Sequence, residues 1–494
     1  MNYSVVMTES INAKLFKHLI RKDGQEDLCF AFYRMSSGKN RSVGVINEVI
    51  LPELGDRNVH GNVSFNPEYF DKVTSYALAK SYGICFIHSH PYPGWQNMSY
   101  DDIDTETMLA SRVKATTGLP LIGLTLGTDN VWSARFWIKT APKKYDRFWC
   151  ESVRVVGEQL KMSYCEKLLP NQKFGEEFMR TISSWGETKQ NDISRLKVGI
   201  IGLGSVGSLI SEALMRTGVK NLTFIDFDTI EKKNLDRLLS AGVEDIGKFK
   251  VDFHKKRLLA SGVIPDLKIT ALRNSITEVE AYEAALDCDV LFSCVDRPLP
   301  RFVLDCLSFA NLIPVVDGGI DTNPKSDMSN IDQARWKAHT TGPERICMKC
   351  LHQYKSEDVA LQQSGLLEDP SYIKGLPKDH FIHRGENVFG FSLSLAGMEI
   401  QQFLSLILKP RGIYYGPKEM DFNTGTIDSE FENECSVNCD IKQLLGKADE
   451  IKFSMTSKDM IAEKIREKHF FPKIKQVNKK SILKKIKDLV NLFF

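Results

Sequence analysis

Two stretches of this 494-residue chain hold residues whose types and spacing suit chemistry. In CFIHSHPYPGWQNMSYDDID, residues 85–104, His88 and His90 are two apart at what should be a strand end, so both imidazoles point to one side. Asp102, at the start of the next helix, can swing back to supply an oxygen. Two imidazoles and a carboxylate leave the fourth position of a tetrahedral Zn2+ site open to water, whose proton becomes labile near neutral pH, giving a nucleophile for an amide. Such a site needs a carboxylate outside the metal shell to carry that proton to the leaving amine. Glu26, just before an early strand, is the best candidate, with Glu9 and Glu48 beside other strands as alternatives. Ser99 could donate a hydrogen bond to the developing oxyanion.

The second stretch, VGIIGLGSVGS, puts Gly202, Gly204 and Gly207 between a strand and a helix, where backbone can approach phosphates at the helix's positive end. Asp226, nineteen residues after Gly207, falls at the next strand end, where a carboxylate binds ribose hydroxyls. To that point an NAD-dependent dehydrogenase fits equally well. DFDTIEKKNLDR then adds Asp228, Asn234 and Arg237, and DIGKFK adds Lys248 and Lys250. That many cations suit departure of pyrophosphate from ATP, where negative charge builds, better than hydride transfer. Asp296, in LFSCVDRPLPR after another strand, could hold Mg2+. Two close cysteine pairs, Cys347 with Cys350 and Cys435 with Cys439, suit an all-sulfur structural zinc site. Cys29, Cys85, Cys288, Cys294 and Cys306 lie in apolar runs and read as core.

The elements that must position these residues follow from hydrophobic periodicity. Residues 28–34, 43–50, 83–88 and 121–127 predict strands and 67–81 and 101–113 predict helices, together an α+β domain over residues 1–160. Residues 161–190 are polar and weakly periodic, a connector with a docking helix. Over 191–440 strands near 197–202, 221–226, 267–271, 289–293 and 313–316 alternate with helices at 206–217 and 248–260, the pattern of a doubly wound α/β sheet. Residues 441–494 form a tail with 14 Lys/Arg and 6 Asp/Glu, net +8, leaving −6 for the rest of a chain of formal charge +2. In it Ile482, Ile486, Leu489, Val490 and Phe493 share a helical face, with Lys484, Lys485 and Lys487 elsewhere, a basic amphipathic helix suited to docking on protein.

The near balance of 65 Lys/Arg against 63 Asp/Glu gives no reason to expect nucleic acid as partner. No signal peptide is expected at the start, and no integral membrane segment: the apolar run FGFSLSLAGMEIQQFLSLIL is interrupted by Glu399, Gln401 and Gln402. Eleven cysteines without an export signal then point to a reducing, cytoplasmic setting.

The run HSHPYPGWQNMSYDD, with a glutamate before an early strand, resembles the JAMM/MPN+ metalloprotease family, which cleaves isopeptide or peptide bonds after the C-terminus of ubiquitin-like proteins. The resemblance covers residues 1–160 and implies His88, His90 and Asp102 as zinc ligands, Glu26 as general base and Ser99 as oxyanion helper. Residues 175–440 resemble the ThiF/MoeB-like superfamily, which includes the ubiquitin-activating enzymes; Asp226, Asn234, Arg237, Lys250 and Asp296 stand in its order. This implies a Rossmann-like domain that uses ATP and Mg2+ to adenylate the C-terminal glycine of a ubiquitin-like protein. Arg180, in RTISSWG, matches an arginine that reaches into the partner subunit's site, which implies a homodimer. The family often carries a four-cysteine zinc site, though its second pair is usually more closely spaced than Cys435 and Cys439.

Members that pass the activated glycine to a conjugating enzyme normally hold a cysteine between residues 318 and 345, and this chain has none. Either Cys347 or Cys350 is the acceptor and the zinc site is absent, or the enzyme stops at the acyl-adenylate, or Thr340 or Thr341 substitutes. The combined expectation is a bifunctional enzyme that trims or deconjugates a ubiquitin-like protein and adenylates it, as in bacterial operons linked to antiphage defence. A sulfur-carrier activator with a carrier-maturing protease domain and a non-catalytic scaffold are the alternatives.

Overall fold

The first third of the chain builds one sheet and the remainder another in the computed structural model, which describes residues 1–60, 62–377, 380–383, 386–429 and 434–470. In chain order the first part holds β1 (Asn2–Thr8), α1 (Glu9–Leu19), β2 (Leu28–Ser37), β3 (Arg41–Ile50), β4 (Arg57–His60), β5 (Asn62–Phe65) and α2 (Pro67–Lys80). It continues with β6 (Gly83–Ser89), α3 (Tyr100–Thr117), β7 (Leu121–Leu126), β8 (Trp132–Ala141), β9 (Lys144–Trp149), β10 (Ser152–Val156) and β11 (Leu160–Tyr164). Nine of these strands form one sheet, in the order β11-β10-β1-β3-β2-β6-β7-β8-β9. Alternation along β2 separates its two faces: Cys29, Ala31 and Tyr33 share a core with Leu15 and Leu19 of α1, whereas Leu28, Phe30 and Phe32 pack with Tyr69 and Val73 of α2 and Leu109 and Val113 of α3.

The four strands expected in this domain are present, and the sheet runs past residue 160 to Tyr164. The run expected as a connector contains β11, α4 (Met179–Trp185) and α5 (Glu187–Arg195).

The second sheet follows the predicted alternation: β12 (Lys197–Ile201), α6 (Ser205–Thr217), β13 (Asn221–Ile225), α7 (Lys250–Ala260), β14 (Lys268–Leu272), α8 (Val279–Leu286), β15 (Val290–Ser293), α9 (Pro298–Asn311) and β16 (Val315–Pro324). Then come β17 (Ile331–Thr341), α10 (Ser356–Gln363), α11 (Pro370–Ile373), α12 (Phe389–Leu408), β18 (Lys418–Asp421), β19 (Thr426–Asp428), α13 (Lys452–Met455) and α14 (Met460–Phe470). The order β14-β13-β12-β15-β16-β17-β18-β19 is parallel through β16 and antiparallel beyond it. The direction of winding reverses between β12 and β15, which is where such sheets open a crevice at the carboxyl ends of their strands. Helix α12 is long and apolar enough by composition to cross a membrane, yet 61% of that span is buried in the fold, with Glu399 and Gln402 inside.

The two parts share one hydrophobic core. Val6, Val43, Val45, Val156 and Leu160 of the first sheet pack in a single cluster with Val198, Ile200 and Leu214 of the second. At its margin Asp289, just before β15, receives Arg41 Nη1 at 2.6 Å, Arg154 Nη1 at 3.0 Å and the Lys197 amide at 3.0 Å. Burial pushes the Asp289 carboxyl up, but Arg41, Arg154 and Lys197 outweigh it and hold the group down at about 2. Asp287 adds a second link by accepting the Asn40 and Arg41 amides at 2.9 Å each.

Residues 441–470, expected as part of a basic tail, are integrated into the fold. The Ser37 amide donates to Asp449 at 2.9 Å, Lys452 pairs with Glu283 at 2.6 Å, and Arg34 pairs with Glu450. The amphipathic stretch carrying Ile482, Ile486, Leu489, Val490 and Phe493 lies outside the described residues.

Replacing Asp289 with Ala would strip two buried guanidiniums of their closest counter-ion and leave only Glu151, 3.7 Å from Arg41 Nη1, so Asp289→Ala should lower unfolding stability by about 3 kcal/mol. Denaturant titration followed by circular dichroism measures this, and a loss below about 1 kcal/mol would count against Asp289 as the charged centre of the junction.

Candidate functional site

The imidazoles of His88 and His90 meet the Asp102 carboxylate at the carboxyl end of β6. His88 is the next-to-last residue of that strand, and the His90 amide donates to the Leu126 carbonyl, so the backbone fixes both. Ser99 caps α3 in a capping box: its hydroxyl oxygen accepts the Asp102 amide at 3.1 Å while Asp102 Oδ2 accepts the Ser99 amide at 2.7 Å. That cap turns the Asp102 oxygens toward His88 Nε2, at 3.2 Å, and His90 Nε2, at 3.3 Å, with the two nitrogens 3.2 Å apart. Two ligands about 2.0–2.1 Å from a tetrahedral Zn2+ would stand about 3.3 Å apart, so the triangle fits that ion. Burial pushes Asp102 up, but the two imidazoles overcome it and hold the carboxyl far below its usual range.

Glu26 joins this group through strand register. Leu28 pairs with His88 across β2 and β6, and the Ser89 amide donates to the Asp27 carbonyl, which brings position 26 opposite His90. Burial raises the Glu26 pKa, and His90 and His88 pull it back. The two alternatives lie elsewhere. Glu48 is opposite Phe32, level with Ile84, and accepts from Tyr76; Glu9 opens α1 and pairs with Lys161. Ser99 is exposed; its oxygen serves the helix cap, and its proton is what remains to be donated.

Sequence reasoning missed the buried charges behind the histidines. Arg135 pairs with Glu106, Trp137 Nε1 donates to Glu106 at 2.6 Å, and Arg135 Nη1 donates to Thr125 Oγ1 at 2.6 Å, which stands 3.4 Å from His88 Nε2. The alternation of ARFW over 134–137 places Arg135 on the face of Trp137, the one available signal that this arginine points inward.

The glycine turn stands where the winding reverses, the place at which such sheets bind nucleotides. Gly202 has φ +91°, and a Cβ there would collide with the Cys294 carbonyl; one on Gly207 would collide with the Gly202 carbonyl. Gly204, which caps α6, faces open space where a phosphate could approach. Asp226 ends β13 and braces the turn, accepting the Leu203 amide at 2.6 Å and the Asp228 amide at 2.7 Å. Lys250, the first residue of α7, is 8% exposed and donates to Asp228 at 2.7 Å. Burial works against its charge, but Asp226 and Asp228, with a contribution from Asp296, raise its pKa. The exposed Asp296 follows β15 on the opposite wall.

The remaining predicted cations and Asn234 are held differently. Asn234 Oδ1 accepts the Glu231 amide, Arg237 donates to the Lys233 carbonyl and Asp236, and Lys248 pairs with Asp245. Arg180 stands exposed on α4. Asn387, not foreseen, donates to Ser205 Oγ at 3.0 Å and ties the start of α12 to the turn.

The sulfurs of Cys347, Cys350, Cys435 and Cys439 all lie within 4.8 Å of one another. Cys347 and Cys439 are 3.6 Å apart, Cys435 accepts the Cys347 amide at 3.2 Å, and Cys347 accepts the Cys350 amide at 3.3 Å. Sharing a proton with Cys347 draws Cys435 down to about 6 and Cys347 up. Four converging thiols with amide donors are the donor set of a structural Zn2+ site, and the wider second pair spans it without strain in φ at either cysteine. Of the two cysteine candidates for a thioester, Cys347 is fully buried among the other sulfurs and so unavailable, and Cys350 is half-buried in the same cluster. Thr340 and Thr341 are also buried, their hydroxyls bonded to Gln402 and Asp305. Cys294, expected in the core, packs against the shared core cluster and is half-buried beside the glycine turn.

Residues 178–427 match the model of the ThiF family. Among curated proteins, the molybdopterin-synthase adenylyltransferase of Escherichia coli (strain K12) is 30% identical over 129 residues, 26% of this chain and 51% of that protein. Ubiquitin-like modifier-activating enzyme 5 of Oryza sativa subsp. japonica is 31% identical over 121 residues, 22% of this chain and 28% of that protein. The chain thus spans about half, or less, of these relatives' length. The crystal structure of E. coli MccB with ATP aligns with a TM-score of 0.41 and 17% identity, covering 54% of this chain and 74% of that one.

Protein prepared without chelators should carry two zinc ions per chain, His88→Ala one, and Cys439→Ser one, as read by elemental mass spectrometry. A wild-type content of one or fewer would remove one of the two sites.

Proposed function

Because the chain belongs to the ThiF family, we propose that its C-terminal domain adenylates the terminal carboxylate of a ubiquitin-like protein, using ATP and Mg2+, and that residues 1–160 hydrolyse a peptide or isopeptide bond at the same carboxylate as a zinc-dependent JAMM/MPN+ peptidase. The observation that carries the adenylation half is Lys250, buried at the start of α7 and paired with Asp228, next to the Asp226 carboxylate that braces the glycine turn through the Leu203 amide. The observation that carries the hydrolytic half is the triangle of His88, His90 and Asp102 with Glu26 in register beside it.

In adenylation a carboxylate oxygen of the partner attacks the α-phosphorus of ATP, the bond to the bridging oxygen breaks, and pyrophosphate leaves with the electron pair. Lys250 exchanges Asp228 for the phosphates and, with Arg237, offsets the charge that builds on the leaving group. Asp226 receives the ribose hydroxyls, Asn234 lines the cleft, and Asp296 is the ligand that suits Mg2+. Arg180 completes the site of a second copy in a homodimer.

In hydrolysis the Zn2+ held by His88, His90 and Asp102 would polarise the scissile carbonyl and make the attacking water more acidic. Glu26 accepts that water's proton and delivers it to the leaving nitrogen. Ser99 donates its free hydroxyl proton to the carbonyl oxygen as charge builds there.

A sulfur-carrier protein is the second reading for the partner. It is favoured by the lack of any cysteine from 318 to 345 together with the burial of Cys347. An acyl-adenylate is then handed to a sulfur donor rather than to a conjugating enzyme.

ATP–pyrophosphate exchange that depends on a small ubiquitin-like protein tests the first half; Lys250→Ala should reduce it about 100-fold or more. Glu26→Gln should leave metal content unchanged and lower cleavage of a C-terminally extended ubiquitin-like protein by about 10²–10⁴-fold. Exchange that persists in Lys250→Ala, or cleavage that persists in Glu26→Gln, would withdraw the corresponding assignment.

A further inference from the structure

We propose that the C-terminal segment 456–470 braces the nucleotide site from behind, with Arg466 and Glu278 as positioning residues for the loop beside Asp226 and for Lys250. The inference rests on the adenylation reading above and extends it to residues outside the cleft's recognised turns.

The placement follows from the sheet. The Asp226 amide, at the end of β13, donates to the Leu272 carbonyl at the end of β14, so the loop 273–278 that follows β14 runs beside the ribose-binding carboxylate. Glu278 organises this loop, accepting the Ser275 amide at 2.9 Å and Asn274 Nδ2 at 3.1 Å. Arg466 of α14 grips the loop from outside. Its Nη2 donates to Glu278 Oε1 at 2.6 Å, and its Nη1 donates to Glu278 Oε2 and to the Arg273 carbonyl, both at 2.8 Å. Two parallel bonds to one carboxylate fix orientation as well as distance. The Ser457 amide donates to the Thr277 carbonyl at 2.8 Å, and Ala462 is fully buried, so the segment is seated along its length.

The same helix reaches the other flank of the cleft. Phe249, 1% exposed, is the residue from which α7 and Lys250 start. The Arg273 guanidinium lies 4.5 Å from the centre of its ring on one contact and the His469 ring 4.5 Å on another, while Arg273 Nε donates to Asp252 in the first turn of α7 at 2.8 Å. One short helix therefore holds the loop beside Asp226 and the residue before Lys250. A surface helix serving stability alone has no need to join those two elements. Loosening Arg466 would free the loop and Phe249 together and raise the cost of ordering the site when nucleotide arrives.

The test is the full-length protein with Arg466→Ala and Arg466→Lys, assayed by ATP–pyrophosphate exchange, by ATP binding in calorimetry and by thermal melting. Arg466→Ala should raise the KM and Kd for ATP about tenfold with kcat within about twofold of wild type. Arg466→Lys, which keeps one bond to Glu278, should recover most of that loss, and metal-dependent cleavage should be unaffected in both. An unchanged Kd in a folded Arg466→Ala protein would overturn the proposal, as would loss of exchange only in parallel with melting temperature and cleavage. Wild-type protein that binds no ATP would instead overturn the adenylation reading on which the proposal stands.

Discussion

Asp289, held between the buried guanidiniums of Arg41 and Arg154, fixes the geometry on which both candidate sites depend. Buried cations and carboxylates would be costly unless mutually satisfied; here Glu151 stands 3.7 Å from Arg41 Nη1 as a second counter-ion, and Asp289 also takes the amide that begins β12. That amide belongs to Lys197, and Asp289 itself leads into β15. The first domain therefore grips the amino ends of the two strands whose carboxyl ends carry the glycine turn and Asp296. A shift at the junction would be transmitted along β12 and β15 to the crevice between them. The apolar side chains of Val6, Val43, Val45 and Val156, merged with the second domain's core, make that junction part of one interior rather than a contact between separable bodies.

Much of this was legible because local pattern and global fold agree in the second domain. The parallel strands β12 to β15 are short apolar runs punctuated by glycine or acidic turns, and periodicity locates each within a residue or two; β16, expected at 313–316, starts within two residues but continues to Pro324 through the polar run DGGIDTN. In the first domain the same reading found β2, β3, β6 and β7, whose apolar runs are buried over most of their length, and left β1, β4, β5 and β8 to β11 unassigned. Arg135 and Arg154 explain part of that failure: both are fully buried, so the rule that charges face water assigns their strands to the surface. Only a partner distant in sequence, Glu106 for one and Asp289 for the other, makes such burial tolerable, and no local window contains it.

The candidate sites divide in the same way. Candidate ligands whose side chains converge at fixed spacing, such as His88, His90 and Asp102 or Cys347 and Cys350, declared themselves in the sequence. Those that act by holding others did not. Glu26 could be separated from Glu48 only by the register of β2 on β6, and the thioester alternatives at Thr340, Thr341 and Cys347 looked open until their burial closed them. Burial is a property of the assembled layers, and a lone threonine in an apolar strand carries no mark of it.

The placement of the two sites relative to the junction also constrains how one partner could use both. The turn at residues 38–40 and Arg41 lie in the junction, whereas Leu28, at the other end of β2, stands beside His88. A ten-residue strand spans about 30 Å, so the histidines stand about that far along β2 from Asp289. On the other side, the five residues of β12 carry the glycine turn about 16 Å from the junction. Each site thus sits at the far end of a strand whose near end is anchored in the same buried charge cluster. A rigid scaffold of this kind cannot fold its two sites together around a bound tail. On the proposed reading, a carboxylate freed at the histidines would have to be released, or carried by movement of the partner protein as a whole, before it could enter the crevice beside Gly204. The coupling that such a fusion would provide is therefore one of proximity and orientation between successive binding events, with the charge cluster at Asp289 holding the two sites in that orientation.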